Sequence, residues 1–402
     1  MTNTMTQPTF RLGRGTCFLL AIACGITVAN VYLSQPLLNE IARYFGAAPE
    51  HASLVASLAQ TGYACGILFV VPCADSLSPR RLCGALLVMT SLMLLASSFA
   101  PGLDILVIAS FFLTTFTVIP QVIIPFAVSV ADKGQTGRVI ASLQTGLILG
   151  ILLARTFSGV LADLTGTWRA PFLVAAVLNL SVLMMLAFCL PAASHHTPRL
   201  TFKRYLALLR PIPGLIVKYP PLLLSCLMGF LVFGAFSAFW ATLAYYLASP
   251  AFGMTPAEIG LFGLWGAAGA LLAPRMGRLS DRFSPELVNA VSLIAVALAF
   301  FLFWSPYGYP LALLVVGVNL LDFGLQSGQI ANQARIFTLP AEFRARLNTV
   351  YMVFTFTGGA IGAAMGAHLW ALWGWGAVCL LGIAMLILAA TVLRLLSRRV
   401  RP

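Results

Sequence analysis

Charge is scarce in this chain. Only 9% of its 402 residues are Asp, Glu, Lys or Arg, and 11 are acidic, whereas a soluble domain is roughly one quarter charged. That shortage, with 60% hydrophobic residues and a mean hydropathy of +0.95, excludes an ordinary soluble domain and identifies an integral membrane protein. Signatures of catalysis are missing as well. There is no G-x-x-x-x-G-K-[ST] phosphate loop, no H-E-x-x-H metal pair and no paired carboxylate within an apolar run. Their absence points away from ATP hydrolysis and from an enzyme, and no cofactor or metal is expected. The eight cysteines form no C-x-x-C pair and lie in or beside apolar runs, so they read as small packing residues.

What the chain has instead is twelve apolar runs, from Cys17–Leu38 to Ala377–Leu396. Each is near the roughly 17 to 25 residues that a helix needs to cross hydrocarbon. Ile259–Pro274 is the shortest, and Leu103–Ala131 is long enough to tilt or protrude. The fold class is therefore an all-α membrane protein with twelve transmembrane helices, the first retained and not removed as a signal peptide. The net charge of +13 would suit nucleic acid, but its distribution makes it a topology signal. With a cytoplasmic N-terminus, 21 basic residues fall in inside segments and only Arg43 and Arg169 in outside loops. The positive-inside rule then places both termini in the cytoplasm of a multi-pass protein of the cytoplasmic (inner) membrane, with lipid and not nucleic acid as its surroundings.

Asn319 to Arg335 is the most polar of the long apolar segments. A helix there carries Asn319, Asp322, Gln326, Gln329 and Gln333 on one face. An Asp at mid-membrane costs roughly 2.5 to 3.5 kcal/mol on insertion scales, so Asp322 should face protein or a watery cavity. It marks either a transport path or a buried tie between helices. Arg155 is the matching base within the spans. Counted from the outer helix ends at 1.5 Å per residue, Arg155 lies about 12 Å deep and Asp322 about 16 Å, so the two could meet.

The chain also repeats itself. D-x-[LF]-S-P occurs at Asp75–Pro79 and at Asp281–Pro285, an offset of 206 residues, and the Gln121/Arg138 and Gln329/Arg346 landmarks repeat with an offset of 208. Two parallel halves of six helices follow, residues 1–190 and 221–402, joined by a basic cytoplasmic linker at 191–220.

At these loops the sequence resembles the major facilitator superfamily. Gly277-Arg278-Leu279-Ser280-Asp281-Arg282 matches its G-x-L-x-D-R signature, and the first half holds a degenerate copy that keeps Asp75, Arg80 and Arg81 but has Val71 for Gly and Ser76 for Arg. The resemblance covers the whole chain and implies alternating access, with Asp75, Arg80, Arg81, Gly277, Asp281 and Arg282 as cytoplasmic gate contacts. The antiporter branch has a Gly-rich fifth helix with Pro. Gly146 and Gly150 match it here, while Ile151 stands where Pro is expected.

The combined expectation is a monomeric secondary transporter that moves a small organic molecule, by efflux in exchange for protons. Uptake by proton symport or uniport is the alternative, and a membrane sensor or enzyme on the same fold is a more distant one. Asp322 and Arg155 are the candidate proton-coupling pair, because a carboxyl can take up a proton while a guanidinium keeps its own. Asn30, Gln121, Gln326, Gln329 and Trp240 are the candidate substrate path. A cavity of aromatics, amides and one acid suits an amphipathic or cationic organic molecule better than a polyanion.

Overall fold

The computed structural model describes residues 12–132, 135–191, 201, 205, 209–210, 212–266, 269, 284–304, 311–340 and 343–400. Its described elements are helical. The first part comprises α1 (Arg14–Ala29), α2 (Leu38–Phe45), α3 (Pro49–Cys65), α4 (Pro79–Ser98), α5 (Leu103–Phe116), α6 (Ile119–Ser129), α7 (Thr136–Thr165) and α8 (Ala170–Cys189). After α9 (Ile212–Lys218) come α10 (Pro220–Leu247), α11 (Pro256–Trp265), α12 (Pro285–Trp304), α13 (Leu311–Phe337) and α14 (Arg344–Val400).

Nine described stretches are long and apolar enough to cross a membrane. One of them, Arg346–Ser397, is 52 residues long and is broken at Gly374, whose φ of 71° no helix can contain, so it supplies two crossings. The 16-residue α1 is shorter, but a tight turn at Gln35–Leu37 and then α2 continue it as far as Gly46. The 10-residue α11 opens on a Thr255–Glu258 capping box and runs up to residues outside the description. Bulky apolar side chains such as Phe18, Phe188, Phe301 and Ile387 are exposed around the bundle, as a hydrocarbon solvent permits.

The long run at Leu103–Ala131 does not tilt as one rod. It breaks between α5 and α6 at Thr117 and Val118, where Pro120 begins the new helix without an N–H to give. The Thr117 hydroxyl donates to Thr27 O at 2.8 Å, which ties the break to α1. One wide helical turn at Gly66–Val70 also interrupts the span that begins with α3.

Close backbone approach organises the packing twice. A Cβ on Gly25 of α1 would strike the backbone of Gly146 on α7, and one on Gly150 would strike Gly25. In α10 and α14, Gly234 faces Gly358 and Gly362 in the same manner. Those positions repeat at offsets of 209 and 212 residues, close to the loop offsets. Small residues let helices approach where lipid offers no hydrophobic drive.

The start of α1, the end of α8, the end of α14 and the α3–α4 connection lie at one end of the bundle, called here the terminal end; the α2–α3, α4–α5, α7–α8 and α10–α11 turns lie at the distal end. Among the described residues, the side-chain hydrogen bonds between α1–α8 and α10–α14 sit in the half nearer the distal end. Ser53 Oγ donates to Tyr245 Oη, and Tyr245 donates to Pro49 O. Gln60 Nε2 donates to Ser237 at 3.0 Å. The Thr156 hydroxyl donates to Gly260 O, and Ala257 N to Asp163. His368 Nδ1 also lies 3.5 Å from Glu50.

Candidate functional site

The polar stripe on α13 carries Asp322, which is 5% exposed. Asp322, Gln326 and Gln329 line a small cavity of about 80 Å³ together with Gln121 of α6, Tyr32 and Tyr63. Phe233, Phe236 and Phe356 complete its apolar wall. Side chains from both sequence halves thus converge on it. At roughly 30 Å³ per water the space equals two or three waters, well below the roughly 300 Å³ at which small-molecule sites begin. The space beside Asp322 is therefore too small for such a molecule, and admitting one would require the helices to part.

Asp322 Oδ2 has no hydrogen-bond partner among the described residues. It faces α11, where a Cβ on Gly266 would collide with it; glycine is what lets the carboxylate and that helix coexist. The other end of the stripe serves packing. Asn319 Oδ1 accepts from Gly269 N at 2.9 Å and so fixes α13 to the chain beyond α11.

Arg155, 1% exposed, holds a different position from the one its depth invites. Its Nε donates to Gln35 Oε1 at 2.7 Å, and its guanidinium lies 3.8 Å from the Trp240 ring centroid and 5.0 Å from that of Tyr32. Nη1 and Nη2 have no hydrogen-bond partners among the described residues. The ion pairs among the described residues are Arg335–Glu286 and His368–Glu50, so Arg155 and Asp322 are not bridged in this state. The ring quadrupole and an amide oxygen hold the cation where a carboxylate would otherwise do so. The two groups remain linked through shared neighbours. Tyr32 lies beneath the guanidinium and also lines the Asp322 cavity, while Gly263 packs on Arg155 one helical turn from Gly266.

Trp240 belongs to this distal layer. It packs with Gln35, Pro36, Arg155 and Ile259 in a space without free volume, and it does not line the cavity. Asn30 is also elsewhere, donating to Thr117 at 3.1 Å and to Asn179 at 3.3 Å. It ties α1 to the α5–α6 break and to α8. Arg80 and Arg81 are exposed on the first turn of α4 and line a separate surface cavity. Asp75 closes the tight turn Val71–Asp75 in its backbone; its side chain, with Gly277, Asp281 and Arg282, lies outside the described residues.

Several partners escape a reading by sequence. Gln35 stands beside Pro36 at the end of the first apolar run, and only the fold, 120 residues later, brings Arg155 to it. Arg335, which counts as a loop charge by position, is 3% exposed inside the bundle. It pairs with Glu286 at 3.1 Å and donates to Ser225 and Asn332. The matching acid is at the start of the preceding span, where charge counting assigns it to a loop.

Comparison with known proteins agrees with this architecture. The Major Facilitator Superfamily profile matches residues 20–315 and 225–402. YgaY of Escherichia coli O157:H7, described as an uncharacterized transporter, is 35% identical over 378 residues, 94% of each chain. A probable transporter of Streptomyces coelicolor is 36% identical over 374 residues, covering 93% of this chain and 85% of its own. A crystal structure of a POT family transporter in complex with a thioalcohol-conjugated peptide superposes over 96% of both chains with a TM-score of 0.77 and 12% identity, a likeness of fold alone.

Proposed function

Because the chain belongs to the major facilitator superfamily, and is thus a multi-pass membrane transporter and not an enzyme, we propose that it exports a small organic molecule in exchange for protons. In this reading residues 1–190 and 221–402 are the two rocking halves and 191–220 the linker. The terminal end faces the cytoplasm of the inner membrane, which puts the distal fastening outside. The observation that carries the reading is Asp322, an acid without a hydrogen-bond partner at Oδ2, in an aromatic and amide-lined cavity to which both halves contribute. Such an intramembrane carboxyl is a functional group by default.

The mechanism follows from what each group can hold. Deprotonated Asp322 presents a negative charge to a cationic or amphipathic substrate, with Gln121, Gln326 and Gln329 as hydrogen-bonding partners and Phe233, Phe236 and Phe356 as its apolar surface. Protonation removes that charge and releases the substrate, so proton and substrate occupy the region in alternation. Arg155 keeps its proton throughout. Its contact with Trp240 joins the halves across the distal layer in this state, and separation of that layer would free the guanidinium to approach Asp322. A ligand that prefers one of the two states shifts the balance between them.

The test is transport by purified protein in liposomes under an imposed pH difference, with a substrate found by screening chemically diverse compounds against export-sensitive cells. Asp322→Asn keeps shape and hydrogen bonding but cannot titrate. It should abolish accumulation against a gradient while sparing substrate exchange. Accumulation by Asp322→Asn at the wild-type level would return Asp322 to a structural tie, and proton movement in the same direction as substrate would establish symport.

A further inference from the structure

A second concave site lies away from the transport cavity, on the outer side of α4 and α8. It encloses about 410 Å³ and is lined by Arg80, Arg81, Gly84, Leu183, Leu186 and Ala187. The volume falls within the roughly 300 to 1,000 Å³ of small-molecule sites. Both arginines are exposed, and neither has an ion-pair partner among the described residues.

Position decides what the site meets. α4 and α8 run antiparallel, because Arg169 at the start of α8 donates to Ser98 O and Ala100 O at the end of α4. The first turn of α4 and the last turn of α8 therefore share the terminal end. The 20 residues of α4 measure about 30 Å, the thickness of the hydrocarbon, so Arg80 and Arg81 lie at one membrane face. Below them the cavity wall is apolar. It continues into lipid-exposed side chains, Val88, Met89 and Leu92 on α4 and Leu180, Met184 and Phe188 on α8. Gly84 keeps the floor open: a Cβ there would meet only Leu183 Cδ1, at 3.8 Å.

We propose that this groove binds an anionic phospholipid, its phosphate against Arg80 and Arg81 and an acyl chain along Leu183, Leu186 and the exposed faces of α4 and α8. Two guanidiniums above an apolar channel complement a headgroup of negative charge joined to a hydrocarbon tail, and basic pockets between spans at a membrane face recognise such lipids. A soluble phosphate would use the arginines alone and gain nothing from the channel. The site goes beyond the transport reading and does not rest on it. It gives the arginines of the degenerate loop copy a lipid to hold at the perimeter, where their exposure puts them.

Native mass spectrometry of the delipidated full chain tests the assignment, with phosphatidylglycerol, phosphatidylcholine of the same acyl composition and inorganic phosphate as probes. Phosphatidylglycerol should bind in preference to phosphatidylcholine. The Arg80→Gln/Arg81→Gln variant should bind it about thirtyfold more weakly, the effect of losing two interfacial guanidiniums, while an Arg138→Gln/Arg394→Gln control should not change. Gly84→Leu fills the groove with both arginines in place, and should weaken the lipid but not inorganic phosphate. Equal binding of the two lipids, unchanged binding after loss of both arginines, or a Gly84→Leu variant that binds phosphatidylglycerol as the parent does would each overturn the proposal.

Discussion

Asp322 and Arg155 are each buried, and each carries atoms without a hydrogen-bond partner among the described residues. A buried charge left without compensation costs several kcal/mol, so a protein that served only stability would not keep it. Asp322→Asn should therefore leave the unfolding temperature of the purified protein unchanged or raised. A fall of several degrees would show that the carboxylate ties helices together. Trp240 offers the complementary case. Replacement by Leu removes the ring 3.8 Å from the guanidinium, and should cost about 2 kcal/mol for a desolvated cation–π contact, while Trp240→Tyr should lose less. Thermal unfolding of the two variants side by side separates the ring's electrostatics from its bulk.

Among the elements, the glycine contacts set what each helix tolerates. At Gly25 an added Cβ would meet the backbone of Gly146, and at Gly362 that of Gly234. Backbone cannot swing aside as a side chain can. Gly25→Val and Gly362→Val should each destabilise by about 1 to 3 kcal/mol or more, read as lost yield of monodisperse protein and a lower unfolding temperature. Gly137→Ala, in the exposed first turn of α7 with nothing within 4 Å of the added carbon, should be neutral or slightly stabilising.

The elements also show how far sequence reaches. Apolar length makes the spans legible, since it is a local pattern. The stripe on α13 is legible because helical spacing alone puts Asp322, Gln326 and Gln329 together, and these three do share the cavity. The partner of Arg155 is not. Depth counting places it near Asp322 but says nothing of sideways position, and an amide with three aromatic rings takes the cation instead. Trp240 lies off this cavity for the same reason: it sits about one turn of α10 beyond Phe236 and two beyond Phe233, which do line it. The break at Thr117 was hidden by the unbroken hydropathy of its surroundings, although Pro120 is the residue that would announce it.

For the whole molecule, orientation and motion can be tested together. Single cysteines introduced at residues 48 and 250, in the distal turns, should react with a membrane-impermeant maleimide added to intact cells, and cysteines at 196 and 400 should not. Labelling at 196 would invert the proposed topology. The Ser53→Cys/Tyr245→Cys pair, at positions that share a hydrogen bond, should cross-link under oxidation and arrest transport, with recovery on reduction. Continued transport by the fully cross-linked protein would show that the distal contacts need not part.

Among the described residues, the direct hydrogen bonds between the two sets of helices cluster toward one end. A bundle fastened there behaves as a pair of levers. A swing of about 10° around the fastening moves the far tip of a 20-residue helix by about 5 Å. Short displacements among Gln35, Arg155 and Trp240 would thus be geared up into a wide mouth at the opposite face, and a force applied at that face would act on the distal contacts with the same ratio of advantage.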